Sequence, residues 1–272
     1  MSNPLALLGR VATYLMLSLA AFISIFPFFW MILGTTNTSA DIIRGKTSPG
    51  TAFFDNVVKF WNSFDMVRVL FNSLLIAGVG TVLTLIVCSL AGYGFEMFRS
   101  RFREKIFAGM LLMLSIPFAA LMIPLFVLMA SFKIINTYQA VLLPSIASIF
   151  IIFYFRQATK AFPSELRDAA RIDGLKEWQI FLHVYLPVMR STYAAATIIV
   201  FMHQWNSYLW PLIVLQTNEM KTLTLAVATL TAGYTPDFGV IMVGAIAATL
   251  PTLIIFFLLQ RRFVEGMLGA VK

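Results

Sequence analysis

Six long apolar runs alternate with polar segments along the chain, at about 11–35, 70–96, 106–131, 137–156, 191–215 and 239–260. At about 1.5 Å per residue, each is long enough as a helix to cross a hydrocarbon core ~30 Å thick. The pattern predicts an all-α integral membrane protein with six transmembrane helices in a single domain over 1–272. The first run follows Arg10 and carries Ser18-Leu19-Ala20, a small-residue stretch of the kind cleaved after signal peptides. It continues through Phe22 to Leu33, too long for a signal core, and reads as an uncleaved anchor. Proline falls within the runs at Pro27, Pro117, Pro124, Pro144 and Pro251. In lipid, proline is tolerated where neighbouring helices or water satisfy the freed backbone groups, so a packed bundle is expected.

Composition supports this and narrows it. The 272 residues are 60% hydrophobic and 12% charged, with a mean hydropathy of +0.86. That is about half the charge of a soluble chain, too little polar material for a soluble skin. Disorder, a disulfide scaffold and an ordinary cytosolic enzyme are excluded. Cys88 is the single cysteine and lies within an apolar run. The net charge of +8 has a topological explanation. With the N-terminus inside, 14 of the 20 Lys and Arg fall on the inner side, six of them between Arg156 and Arg190. Basic inner loops are the rule for polytopic proteins, so both termini are placed in the cytoplasm and nucleic acid is removed as a partner.

Residues 157–190 are too polar to span and too patterned to be a linker. From Phe162 the chain reads FPSELRDAARIDGLKEWQIFLHVYLP. Ser164 is the expected N-cap of a short helix, Glu165 suits its first turn, and Gly174 can adopt the left-handed conformation that ends it. Leu166, Ala169, Ala170 and Asp173 recur at spacings of three and four, predicting one face with small residues at its centre. A second helix is expected from about Lys176 to Tyr185, with Phe181, Val184 and Tyr185 on one side, and Pro187 should break the chain into the fifth span. The result is an elbow lying on the inner membrane surface.

Asp168-Ala169-Ala170-x-x-Asp173-Gly174, Phe181, and Val184-x-Leu186-Pro187 thirteen residues after the glycine together resemble the EAA loop of permease subunits in ABC importers. Asp168 replaces the usual Glu on a shorter arm, and Leu175 replaces the Ala after the Gly. The resemblance extends to Trp205-Asn206-Ser207-Tyr208-Leu209-Trp210-Pro211, to Phe71-Asn72-Ser73-Leu74, and to the tail Gly266-Met267-Leu268-Gly269-Ala270-Val271-Lys272, all similar to the maltose-type carbohydrate uptake family. It implies a type I ABC importer permease fold in a bacterial cytoplasmic membrane. The implied partners are a second homologous permease, two ABC ATPase subunits, an extracytoplasmic sugar-binding protein and membrane lipid. Asp168, Ala169, Ala170, Asp173, Gly174, Phe181, Leu186 and Pro187 would couple to an ATPase, and the loop at 216–238 corresponds in position to one that enters the binding protein. The segment around Trp205 looks closest to importers of lactose-like or arabinose-containing oligosaccharides, with glycerol-phosphate importers sharing much of it.

Inside the fifth span, His203, Gln204, Asn206, Ser207 and Tyr208 are costly in lipid and therefore face protein or water. With Trp205 and Tyr208 offering flat aromatic faces, His203, Gln204, Trp205, Asn206 and Tyr208 are candidates for lining a sugar pathway. Interhelical hydrogen bonding and the interfacial aromatic belt explain the same residues, and for Trp210 that packing role is preferred. In the maltose-type family the partner permease carries much of the solute contact. Gly45-Lys46-Thr47 is not a phosphate loop, because Ala40 stands where its first glycine is needed. The chain is expected to have no ATP site, no bound cofactor, no catalytic residue and no metal site, His183 and His203 being far apart; ATP and Mg belong to the ATPase. A transporter driven by an ion gradient would need charged residues near the midplane, where the spans have almost none. A structural subunit that anchors an ATPase without forming a pathway is the other alternative.

Overall fold

The computed structural model describes residues 4–233 and 235–269, and among them there is no strand. In chain order the helices are α1 (Pro4–Thr35), α2 (Ser39–Ile43), α3 (Phe53–Asn62), α4 (Met66–Met97), α5 (Arg101–Met113), α6 (Phe118–Ser131), α7 (Tyr138–Ile146) and α8 (Ile149–Thr159). Then follow α9 (Ser164–Ile172), α10 (Glu177–Ile180), a π turn at Phe181–Tyr185, α11 (Leu186–Val188), α12 (Arg190–Trp205), α13 (Leu209–Val214), α14 (Leu223–Leu230) and α15 (Phe238–Gly269). The end of the tail, Ala270-Val271-Lys272, lies outside the described residues.

Among the described residues, four stretches are long and apolar enough to cross a membrane: Gly9–Thr35, Met66–Met97, Tyr138–Thr159 and Phe238–Arg261. The two others are bent pairs, α5 with α6 at 105° and Glu177–Val188 with Arg190–Val214 at 82°; counting each pair as one gives six. The expected continuous span at 106–131 is therefore two helices. Its cause is Pro117, extended at ψ 139°, which serves as the N-cap of α6. Pro27, Pro124 and Pro251 instead sit inside unbroken helices. Near Pro144 the break falls at Ala147 (φ −103°, ψ 59°). There α4 supplies the missing donors: Thr84 Oγ1 to the Ser145 carbonyl at 3.4 Å, and Cys88 Sγ to the carbonyls of Ile146 and Ser148 at 3.4 and 3.5 Å.

The chain divides into two units, residues 1–66 with 227–249, and 67–226 with 250–272. In the first, the buried Asn56 amide donates to the carbonyls of Thr35 at 2.8 Å and Asn37 at 3.0 Å. Gly239 permits this approach, since a Cβ there would lie 2.5 Å from Asn56 Nδ2. Asp237 accepts from Ser39 Oγ at 2.8 Å and from Lys59 Nζ at 3.2 Å. Partial burial opposes its charge, but those two donors hold its carboxyl below the usual carboxylate range.

Among its described residues the second unit has three apolar clusters, and α4 contributes to each. Ile76 joins Met129, Val141, Trp210 and Leu225; Cys88 joins Phe107, Ile152, Phe155 and Val200; Tyr93 joins Phe162, Phe181, Tyr185 and Met189. Near the start of α4, Asn72 Nδ2 donates to the carbonyls of Glu219 and Lys221 at 2.9 and 3.0 Å, and Ser73 Oγ accepts the Leu223 amide at 2.6 Å. These two polar residues of the Phe71–Leu74 segment thus fasten the 216–222 loop. The chain beyond that loop forms the short helix α14.

Candidate functional site

The elbow forms as its sequence dictates, with three local differences. Pro163, extended at ψ 119°, occupies the N-cap, so Ser164 is the first helical residue and makes no side-chain cap. At the other end Gly174 has φ +83°. Its amide donates to Arg171 O and the Leu175 amide to Ala170 O, both at 3.0 Å, closing α9 as a Schellman motif. The second limb is longer than expected: α10 runs into the π turn and α11, and the turn into α12 comes at Met189, not Pro187. Leu186 N donates across the π turn to Phe181 O. Pro187 then enters in the first residues of the next α turn, where a missing N–H costs little.

The four-residue face expected on α9 is divided. Leu166, Asp168, Ala169, Ile172 and Asp173 are exposed, Ile172 at 87%, whereas Ala170 is buried against the protein. Ala170 shares the inner side with half-buried Arg167 at i, i+3, so close approach by α9 to its own bundle is what the small side chain permits. Phe181 is also buried, stacked 5.2 Å from Tyr185 and edge-on to Tyr93 at 5.3 Å. Tyr185 Oη lies 2.7 Å from Thr159 Oγ1, tying the second limb to α8. Leu186, Pro187 and Trp178 are exposed. The elbow therefore has an aromatic inner side and an outer side of short acidic, small and aliphatic residues, a surface suited to docking a separate protein.

A second feature is a cavity of about 500 Å³ lined by Phe118, Pro144, Ser145, His203, Asn206 and Tyr208, among others. It lies where α12 ends at Trp205 and α13 begins at Leu209, so the irregular backbone at 206–208 borders open space, as irregular backbone at membrane depth must. Four of the five pathway candidates line it: His203, Gln204, Asn206 and Tyr208. Trp205 does not; it is buried and stacked on Phe201 at 5.8 Å. Gln204 Nε2 donates to Ser145 Oγ at 2.8 Å across the cavity wall. Trp210 Nε1 donates to the Ala140 carbonyl at 2.9 Å, the interhelical role expected for it. Ser145 and Phe118 were not legible, because they come from α7 and α6, about 60 and 85 residues earlier in the chain. The lining offers amides, hydroxyls, an imidazole and aromatic faces, and among the described residues it has no Lys, Arg, Asp or Glu. That set can hydrogen-bond and stack against a neutral polyhydroxylated ligand.

Residues 85–268, which contain both features, match the family described as binding-protein-dependent transport system inner membrane component. The chain belongs to that family. Among its relatives is the lactose transport system permease protein LacG of Rhizobium radiobacter, 63% identical over 265 residues and covering 97% of each chain. The arabinooligosaccharides transport system permease protein AraQ of Halalkalibacterium halodurans is 37% identical, covering 93% of this chain and 92% of that one. A bacterial ABC transporter involved in import of the acidic polysaccharide alginate has a chain of the same fold, with a TM-score of 0.82, 19% identity, and coverage of 97% of this chain and 99% of that one. As a member of this family the chain is an inner-membrane component of a binding-protein-dependent transport system, and its all-α architecture is that of an ABC importer permease.

Proposed function

We propose that this chain is the membrane-spanning permease subunit of an ATP-driven importer for a carbohydrate of two or more sugar units, with both termini in the cytoplasm. The elbow carries the reading: its glycine-closed turn displays Asp168, Ala169, Ile172 and Asp173 outward while an aromatic cluster holds its back. It would dock on an ABC ATPase, which binds ATP and Mg, so this chain moves solute without hydrolysing nucleotide. A second permease would complete the pathway, and an extracytoplasmic sugar-binding protein would deliver the solute. The 63% identity to a permease named for lactose and the uncharged cavity favour a neutral sugar over a glycerol phosphate, whose anion would call for Lys or Arg in the lining.

Gly174→Asp tests the coupling role. Nothing lies within 4 Å of the new Cβ, so the cost is the left-handed backbone, about 1 kcal/mol, plus another negative charge beside Asp173. Together these predict about tenfold weaker ATPase docking and uncoupled hydrolysis. Normal uptake with normally stimulated hydrolysis would refute the assignment. A cavity variant separates the two features: Asn206→Ala is expected to lower sugar uptake while the ATPase still co-purifies. Unchanged uptake would remove Asn206 from the pathway.

A further inference from the structure

The elbow is joined to its neighbours in two different ways. Along the chain it connects to α8 through the Lys160–Pro163 loop and to α12 through the turn at Met189, where the helices bend by 82°. Both joints are places where a rotation can be absorbed. Side chains tie its second limb to α8 through Tyr185 and Thr159, but they clamp both limbs to α4, a helix with no adjacent chain connection to it. Arg167 donates to the Met97 carbonyl at 3.3 Å and lies 5.0 Å above the Phe98 ring. Glu177, on the other limb, accepts from Arg167 at 3.2 Å, from Arg171 at 2.8 Å and from Tyr93 Oη at 3.4 Å. One carboxylate thus locks both limbs of the elbow to each other and to the last turns of α4. In the same turns Glu96 accepts from Arg156 of α8 at 3.3 Å.

α4 is unbroken for 32 residues, about 48 Å of helix. At Gly80, some thirteen residues before the clamp, it passes Gln204 so closely that a Cβ would lie 2.9 Å from Nε2. We infer that residues 93–97 of α4 receive the movement of the elbow, and that Arg167 and Glu177 are positioning residues that make the elbow and α4 one rigid body leading to the cavity wall. The inference rests on the coupling role proposed above. A displacement at the clamp reaches Gln204 through a continuous helix, whereas the covalent route through α12 must cross the bend at Met189. Packed elements transmit such shifts as rigid bodies, and hinges absorb them.

Two nitroxide pairs in the complete complex with its ATPase subunits test this, Lys176 with Leu90 of α4 and Lys176 with Met202 of α12. All three positions are exposed, and the native Cys88 is fully buried and stays unlabelled. Distances are measured without nucleotide and after trapping with ATP and vanadate. The expected result is a Lys176–Leu90 distance that does not shift and a Lys176–Met202 distance that does. If the first pair shifts as much as the second, α4 is not the receiver and the inference falls while the coupling role stands. If neither pair shifts, the elbow, α4 and α12 move as one body, and the inference again falls while the coupling role is decided by Gly174→Asp. In Arg167→Ala with Glu177→Gln, the Lys176–Leu90 distribution should broaden and shift on trapping although the ATPase still co-purifies, and Arg167→Lys should narrow it again. A narrow, unmoved distribution in the double variant would overturn the positioning roles.

Discussion

Gly92→Leu is expected to leave almost no folded protein. A Cβ at this buried position would sit 2.6 Å from Phe155 Cβ, 2.8 Å from the Arg156 amide nitrogen and 3.1 Å from the Ile152 carbonyl. Two of these three are backbone atoms of α8, which cannot swing aside as a side-chain tip can, so α4 and α8 would have to separate. Overpacking of a core commonly costs about 1–3 kcal/mol, and here the whole isobutyl group is added at the closest approach of two helices, so about 3 kcal/mol or more is expected. Gly94→Ala is the matching control, because nothing lies within 4 Å of its Cβ and alanine favours the helix. The fraction of monodisperse protein surviving a temperature ramp in detergent should collapse for Gly92→Leu and match the parent for Gly94→Ala. Equal survival of the two variants would show that the helices are not packed this tightly.

Arg156→Met should be nearly as damaging, for an electrostatic reason. The Arg156 side chain is 7% exposed, between Glu96 at 8% and Glu104 at 47%, with its guanidinium 4.1 Å over the Phe107 ring. Removing the cation strands a buried carboxylate, a change that costs about 3 kcal/mol at the lower end of its usual range. The lower end applies because Glu96 keeps Arg99 as a partner and Glu104 remains half in solvent. Adding Glu96→Gln to Arg156→Met should recover much of the loss, since the stranded charge is then gone. Failure of that second change to help would mean that packing on Phe107, and not charge, is what Arg156 supplies.

The elbow shows how far local signals reach. Gly174, the acidic first turn and the spacing to Pro187 were legible because helix ends and turns are decided by residues a few positions apart. Which side of α9 faces the bundle was not legible. Ala169 and Ala170 are the same residue type, yet one is exposed and the other buried, on the side where Arg167 reaches the Met97 carbonyl and the Phe98 ring. The fifth span divides in the same way. Its polar run marked a lined cavity or an interhelical contact, and the fold shows both, with Gln204 bonded to Ser145 and Trp205 withdrawn into packing.

The sequence by itself determined the class of protein, because a run of apolar residues long enough to cross a membrane is a property of consecutive positions, as is the excess of basic residues in the segments between runs. It also determined the elbow, whose glycine and spacing act within two short helices. Only the tertiary structure decided that α4 passes through all three clusters and that Arg156, Glu96 and Glu104 form one ion-paired group. Each of these depends on groups brought together from distant parts of the chain, and a buried charge or a glycine contact has no energy until its partner helix is in place.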